Sequence, residues 1–255
     1  HRPADMPVPD SFHDPVDHLP RFMREMELSQ AARGSMRISE PALRDAMAAE
    51  FGAIELIDAG VGRMLAALGA SGQADDTIVV FTSDHGDMFG DHGFMLKGGM
   101  VFEGTTRVPL VIARPDDEPK RTASLASSLD IGTTLLDLVD VDAYRGVQGT
   151  SLAPVLDDPL ARVRDHVLIE EDIPSYGLYE NALPERSRTL VTADARMTRY
   201  STGESELYDL AADRGERRNL VGLSADLQRE MTEQLLDALV AAADHARPES
   251  TLEEA

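Results

Sequence analysis

Apolar residues recur at three- and four-residue steps through Leu43, Met47, Phe51, Ile54, Ile57, Val61, Met64, Leu65 and Leu68. That spacing lays them along one stripe of an amphipathic helix. Ser39 or Glu40 caps its start with Pro41 in the first turn, and Gly69 and Gly72 stop it. Residues 77–82 then form an unbroken, largely β-branched run, which predicts a fully buried strand of the parallel type. A glycine-rich loop over 86–106 leads to a second run at 108–113, and 125–138 reads as a helix with Leu129, Thr133, Leu136 and Val139 on one face. Helix, strand, loop, strand, helix predicts an α/β fold with a layered sheet.

The flanks have a different character. Prolines at 3, 7, 9, 15 and 20 block regular structure in residues 1–38, which read as an irregular surface excursion packed on the rest. Beyond about residue 160, short runs at 167–170, 188–192 and 197–200 predict a small antiparallel sheet. A last helix starts at Ser224 and ends near His245, with Leu227, Met231, Leu235 and Leu239 on its stripe. The tail over 246–255 is polar and acidic, a pattern that predicts fraying.

Composition narrows the function classes. A net charge of −22 argues against a nucleic-acid surface, and only Lys97 and Lys120 among 24 basic residues are lysines. There is no cysteine, so this segment carries no disulfide and no thiolate metal site. No apolar stretch reaches membrane-spanning length, and no leader precedes the first elements, so a cytoplasmic place is expected over a periplasmic or secreted one. Because the chain begins at His1 and the pattern starts mid-fold, it reads as a fragment.

Candidate chemistry gathers after the first strand. Ser83-Asp84-His85-Gly86 sits at the carboxyl end of 77–82, where open sheets bind ligands. Asp84 offers carboxylate oxygens and His85 an imidazole nitrogen, both competent metal ligands. Gly86, Gly90, Gly93, Gly98 and Gly99 let the loop bend closely around a bound group, His92 adds a second imidazole, and Lys97 adds an ammonium in a lysine-poor chain. The bland alternatives are a strand-end turn for Asp84-His85, a loop hydrogen bond for His92 and a solvated charge for Lys97.

The run from Thr77 to Gly93, followed by Lys97 and Thr106-Arg107-Val108-Pro109-Leu110, resembles the C-terminal half of the sulfatase family in the alkaline phosphatase superfamily. The twelve-residue step from His85 to Lys97 also resembles its phosphonate monoester hydrolase and choline-sulfatase-like branches. Further signatures follow in order: Ser128–Asp137, Gln148–Leu156, and Glu206-Leu207-Tyr208-Asp209-Leu210 with Glu216, Asn219 and Leu220. The resemblance spans about residues 40–222.

That resemblance implies a hydrolase of small-molecule or saccharide sulfate esters with an alkaline-phosphatase-like sheet. Residues 39–160 would be the C-terminal part of its α/β domain, 1–38 an excursion from it, and 161–255 a small subdomain of antiparallel β plus helix. Asp84 and His85 would be metal ligands, Lys97 would contact the sulfate as a catalytic and substrate-binding group, and His92 would join the catalytic set. Arg107 and Pro109 would be structural, and Glu206, Tyr208 and Asp209 a turn and a subdomain contact. The metal would be Ca²⁺, although an imidazole ligand suits Mn²⁺ or Zn²⁺ better. The nucleophile would be a formylglycine in an upstream Cys/Ser-x-Pro-x-Arg motif, which this chain lacks. His1-Arg2-Pro3 has the form of the family's His-x-Pro segment but is placed downstream of it, and His13 and His18 are expected at the surface. Loops choosing the organic part of the substrate would lie in 1–38 and 172–187. The same pattern admits a phosphonate or phosphate ester hydrolase, a phosphoethanolamine transferase, or a non-catalytic module.

Overall fold

The computed structural model describes residues 1–25, 38–97, 99–115, 117–144, 146–173 and 185–245. Expectations for 26–37, Gly98, 174–184 and the tail over 246–255 lie outside the described residues. The chain divides into two compact units, one from residues 1–119 and the other from 120–173 with 185 onward.

In the first unit, helix α1 (Glu40–Ala70) follows the predicted stripe. The Ser39 hydroxyl accepts from the Ala42 N–H at 3.4 Å and Pro41 lies in the first turn. Leu43 and Met47 are buried in a cluster with Met6 and Phe12. Farther along, the same stripe is uncovered: Phe51, Ile54, Ile57, Met64 and Leu65 are all exposed among the described residues. The 31-residue helix is roughly 46 Å long at 1.5 Å per residue, and among the described residues its buried positions, Leu43 and Met47, lie near its start.

Strand β1 (Val79–Thr82) pairs antiparallel with β2 (Leu110–Ala113), with Val79 opposite Ala113 and Thr82 opposite Leu110. The expected buried, parallel-type strand is therefore corrected. Residues 83–109 reverse the chain as one closed excursion, whereas a parallel pair needs a crossover that returns the chain to its starting end. Phe81 (41% exposed) and Val111 (55%) face outward. The excursion contains a short helix, α2 (Glu103–Thr106).

Residues 1–25 follow a largely irregular course. Met6, Phe12, Val16, Leu19, Phe22 and Met23 are buried, while His13 and His18 lie at the surface. Ser11 ties this segment to the excursion: its hydroxyl donates to Asp91 Oδ1 at 3.1 Å and accepts from the His92 N–H at 2.9 Å. Burial pushes the Asp91 carboxyl above its ordinary range, against a smaller lowering by the Ser11 bond.

The second unit contains α3 (Leu129–Leu138), shorter than predicted by about a turn, and α4 (Ala153–Asp157). Asp130 is fully buried and accepts from the Ser127 N–H at 2.7 Å, the Thr150 N–H at 2.8 Å and Arg164. A four-stranded meander follows: β3 (His166–Ile173), β4 (Glu185–Thr192), β5 (Ala195–Tyr200) and β6 (Ser205–Asp209), each antiparallel to the next. Helix α5 (Ala225–His245) lays Met231, Leu235 and Ala238 on Leu190, Met197 and Leu207. Among the described residues, no helix is long and apolar enough to cross a membrane.

Strand β6 corrects the reading of 206–209 as a turn. Strand alternation sends Leu207 to the helix side and Glu206 and Tyr208 to the other, where Arg196 and Thr198 also point. Arg196 pairs with Glu216 and lies 3.6 Å from Glu206. Tyr200 and Tyr208 donate to Glu206 at 2.5 and 2.8 Å. Burial would lower the Arg196 pKa, but Glu216 and then Glu206 more than reverse this, while burial raises both tyrosines.

Two predictions follow from this packing. Glu216→Ala removes one of the two carboxylates beside a guanidinium that is 2% exposed, so urea titration should show a loss of about 1–3 kcal/mol. Leu236→Ala, at a 57% exposed position, should stay within about 0.5 kcal/mol; equal losses in the two variants would contradict this account of the network. For Asp91, the raised folded pKa means the folded state holds its proton more tightly than the unfolded chain. Its carboxyl therefore destabilises increasingly as pH rises from the ordinary carboxylate value through the raised one. Asp91→Asn cannot ionise, so its melting temperature should gain on the parent's across about pH 3–7, and parallel curves would rule the burial effect out.

Candidate active site

The excursion begins where β1 ends, and local hydrogen bonds shape its first turn. The Ser83 hydroxyl donates to the His85 carbonyl at 2.8 Å, and the His85 N–H donates to Asp84 Oδ1 at 3.0 Å. Gly86 follows in a contact only glycine tolerates: a Cβ there would lie 2.0 Å from the Gly104 carbonyl oxygen. Its N–H donates to the Thr105 carbonyl at 2.8 Å, which fastens the turn to α2.

The Asp84 side chain is 84% exposed and that of His85 40% exposed. The His85 N–H, with a smaller pull from the Lys97 ammonium, holds the Asp84 carboxyl below its usual range. His85 Nδ1 lies 2.7 Å from the Gly86 carbonyl oxygen. A carbonyl only accepts, so this contact assigns the proton to Nδ1 and leaves the Nε2 lone pair outward. Lys97 Nζ lies 2.6 Å from that Nε2, and Asp84 Oδ2 lies 3.5 Å from it. The structure thus brings Asp84, His85 and Lys97 together.

His92 has different surroundings. It is 3% exposed, its backbone is left-handed (φ 52°), and its ring stacks on Phe102 with centroids 4.2 Å apart. Arg107 is an exposed partner of Glu103, 3.0 Å away. Sequence reasoning missed Asp87, whose Oδ1 accepts from the Phe89 and Leu96 N–H groups, each at 2.9 Å. An aspartate two residues before a turn position was the available signal. The Ser11–Asp91 tie left no local signal, since its partners lie 80 positions apart.

An ionised carboxylate and an outward imidazole lone pair fit a divalent cation by their chemistry. They form a partial set: among the described residues, no group of three or more His, Asp or Glu side chains is placed to hold a metal.

Comparison with known proteins places these residues in a family. The Sulfatase family model matches residues 7–141, and the model for the N-sulphoglucosamine sulphohydrolase C-terminal region matches 90–242. An arylsulfatase of Clostridium perfringens is 34% identical over 190 residues, covering 72% of this chain and 37% of that protein. An N-acetylglucosamine-6-O-sulfatase of Bacteroides thetaiotaomicron is 32% identical over 188 residues, covering 70% of this chain and 33% of that protein. The solved structure of a 2-O GAG sulfatase superposes with a TM-score of 0.82 at 25% identity, over 94% of this chain and 53% of its own. The chain therefore spans little more than a third of the curated relatives' length, and its alkaline-phosphatase-like fold is that of a C-terminal part. Two models that together run from residue 7 to residue 242 leave one conclusion: the chain belongs to the sulfatase family.

Proposed function

We propose that this chain supplies metal ligands and the anion-holding cation for hydrolysis of sulfate monoesters. The observation that carries this reading is the convergence of Asp84, His85 and Lys97 within 3.5 Å at the exposed end of β1. With the Lys97 ammonium turned from His85 Nε2 to the sulfate, Asp84 Oδ and His85 Nε2 would hold a divalent cation, Ca²⁺ by family resemblance, with Mn²⁺ favoured by the imidazole. When bound, such a cation polarises the sulfuryl oxygens and lowers the pKa of the attacking hydroxyl. Lys97 places an ammonium against the transferred group, where negative charge accumulates as the S–O bond breaks. The Nδ1–H bond to the Gly86 carbonyl keeps the imidazole's lone pair directed at the site. We assign His92 to support of the loop, on its burial against Phe102.

The nucleophile, a formylglycine in this reading, is not furnished by a chain with neither a cysteine nor a Ser-x-Pro-x-Arg motif. Sulfated saccharides are the favoured substrate class, on the strength of an N-acetylglucosamine-6-O-sulfatase among the relatives. A phosphonate or phosphate ester is the second reading, supported by the imidazole at His85 and its twelve-residue step to Lys97.

In a complete enzyme containing this chain, Asp84→Ala and Lys97→Ala should each lower kcat/KM for an aryl sulfate by about 10²–10³-fold. Calorimetric titration with Ca²⁺ and Mn²⁺ should show weakened metal binding for Asp84→Ala and unchanged binding for Lys97→Ala. Near-parental turnover in both variants would sink the assignment, and faster cleavage of an aryl phosphonate than of the sulfate would favour the second reading.

A further inference from the structure

Lys97 reaches His85 from the far end of a loop, with its own carbonyl accepting from the Met100 N–H at 2.9 Å on one side and Leu96 on the other. The residue before it, Leu96, has a left-handed backbone (φ 65°), as do Phe89 (φ 42°) and His92 (φ 52°). For a residue with a branched side chain this conformation persists only when something outside it fixes the backbone. For Leu96 that fixture is Asp87. One carboxylate oxygen, Oδ1, accepts from Phe89 N–H and Leu96 N–H at 2.9 Å each. It thereby joins two left-handed residues seven positions apart. The Met88 N–H donates to the Leu96 carbonyl at 3.1 Å, so Leu96 is held on both sides of its α-carbon. A charged acceptor serving two amides is stronger than the neutral contacts around it. Removing it leaves the Met88 N–H bond to the Leu96 carbonyl and loosens the backbone at the residue that precedes Lys97.

We propose that Asp87 is the positioning residue for Lys97: its carboxylate clasps the loop 87–96 and so delivers the ammonium to His85 Nε2. This rests on the reading of Lys97 as the anion-holding group. The clasp itself is a matter of backbone geometry and can be tested without turnover. Asp87 touches neither substrate nor metal in this account, and it acts through Leu96.

The test uses the chain with lysine and histidine selectively labelled for NMR. Only Lys97 and Lys120 are present, so two lysine side-chain signals result and Lys120 serves as an internal control. A nuclear Overhauser contact between the Lys97 ε-methylene and the His85 ring should be present in the parent. It should be lost in Asp87→Ala and restored in Asp87→Asn, whose amide oxygen still accepts from both N–H groups. An unchanged contact in Asp87→Ala overturns the proposal. Should the alanine variant lose its folded spectrum, hydrogen exchange in the parent decides. Phe89 and Leu96 amides should then exchange at least about tenfold more slowly than free peptide amides, and free-peptide rates would overturn the clasp. In a complete enzyme, Asp87→Ala should lower kcat/KM about 10- to 100-fold and weaken inhibition by inorganic sulfate, with cation affinity unchanged and Asp87→Asn close to the parent. Loss of activity in Lys97→Ala but not in Asp87→Ala defeats this proposal alone, whereas full activity in both defeats the functional reading beneath it.

Discussion

The contact between Gly86 and the 104–105 backbone governs the geometry of the first unit. A peptide chain leaving β1 can return beside it only if the intervening residues close on themselves. The closure occurs where the Gly86 Cα packs against the Gly104 carbonyl oxygen, at a distance no side chain permits. The Gly86 N–H bond to Thr105 locks that approach. From it follow the antiparallel register of β1 with β2, the outward turn of Asp84 and His85, and the position of α2 under the loop. With the roots of the excursion fixed, Asp87 and Ser11 need only shape its middle.

Charge gives the site its second constraint. A chain with a net charge of −22 repels an anionic substrate at long range, and salt screens that repulsion beyond a Debye length of about 8–10 Å. Attraction must then come from cations within a few ångströms of the anion. Lys97 meets that requirement beside an imidazole whose proton is committed to the Gly86 carbonyl, so the ammonium faces no competing donor there. In a chain that uses arginine almost everywhere else, a lysine here supplies a compact charge able to turn between His85 and an incoming oxyanion.

Local pattern made much of this legible. The stripe from Leu43 to Leu68 gave α1 and its cap because helical period depends only on neighbours in sequence. The placement of Ser83–Gly86 at a strand end was equally local. Strand direction was not, because an unbroken apolar run such as 77–82 carries no information about the partner's orientation. Strand β6 was misread for a related reason. Glu206 has the appearance of a surface residue until Arg196 and the two tyrosines are brought to it by pairing across the sheet. The Asp87 clasp also depends on a backbone conformation at Leu96 that no propensity favours.

The carboxylates of this chain differ in whether they have oxygens left open to solvent. Asp130 is buried and satisfied by two amides and Arg164, and Glu206 and Glu216 are buried around Arg196. Each is enclosed with a hydrogen-bonded or ion-paired partner and turns no oxygen to solvent. Asp84 accepts from the His85 amide through Oδ1 and holds Oδ2 3.5 Å from His85 Nε2 on a side chain 84% exposed, with its charge favoured by the amide bond. A Ca²⁺ ion takes six to eight oxygens, so one carboxylate and one imidazole cannot hold it unaided. Donors from beyond the pair, whether other parts of a sulfatase domain, water or the sulfate itself, must converge on the side where Asp84 is open. In the proposed reading, the exposure of Asp84 is therefore the condition under which Asp84 and His85 could share an ion with donors from elsewhere.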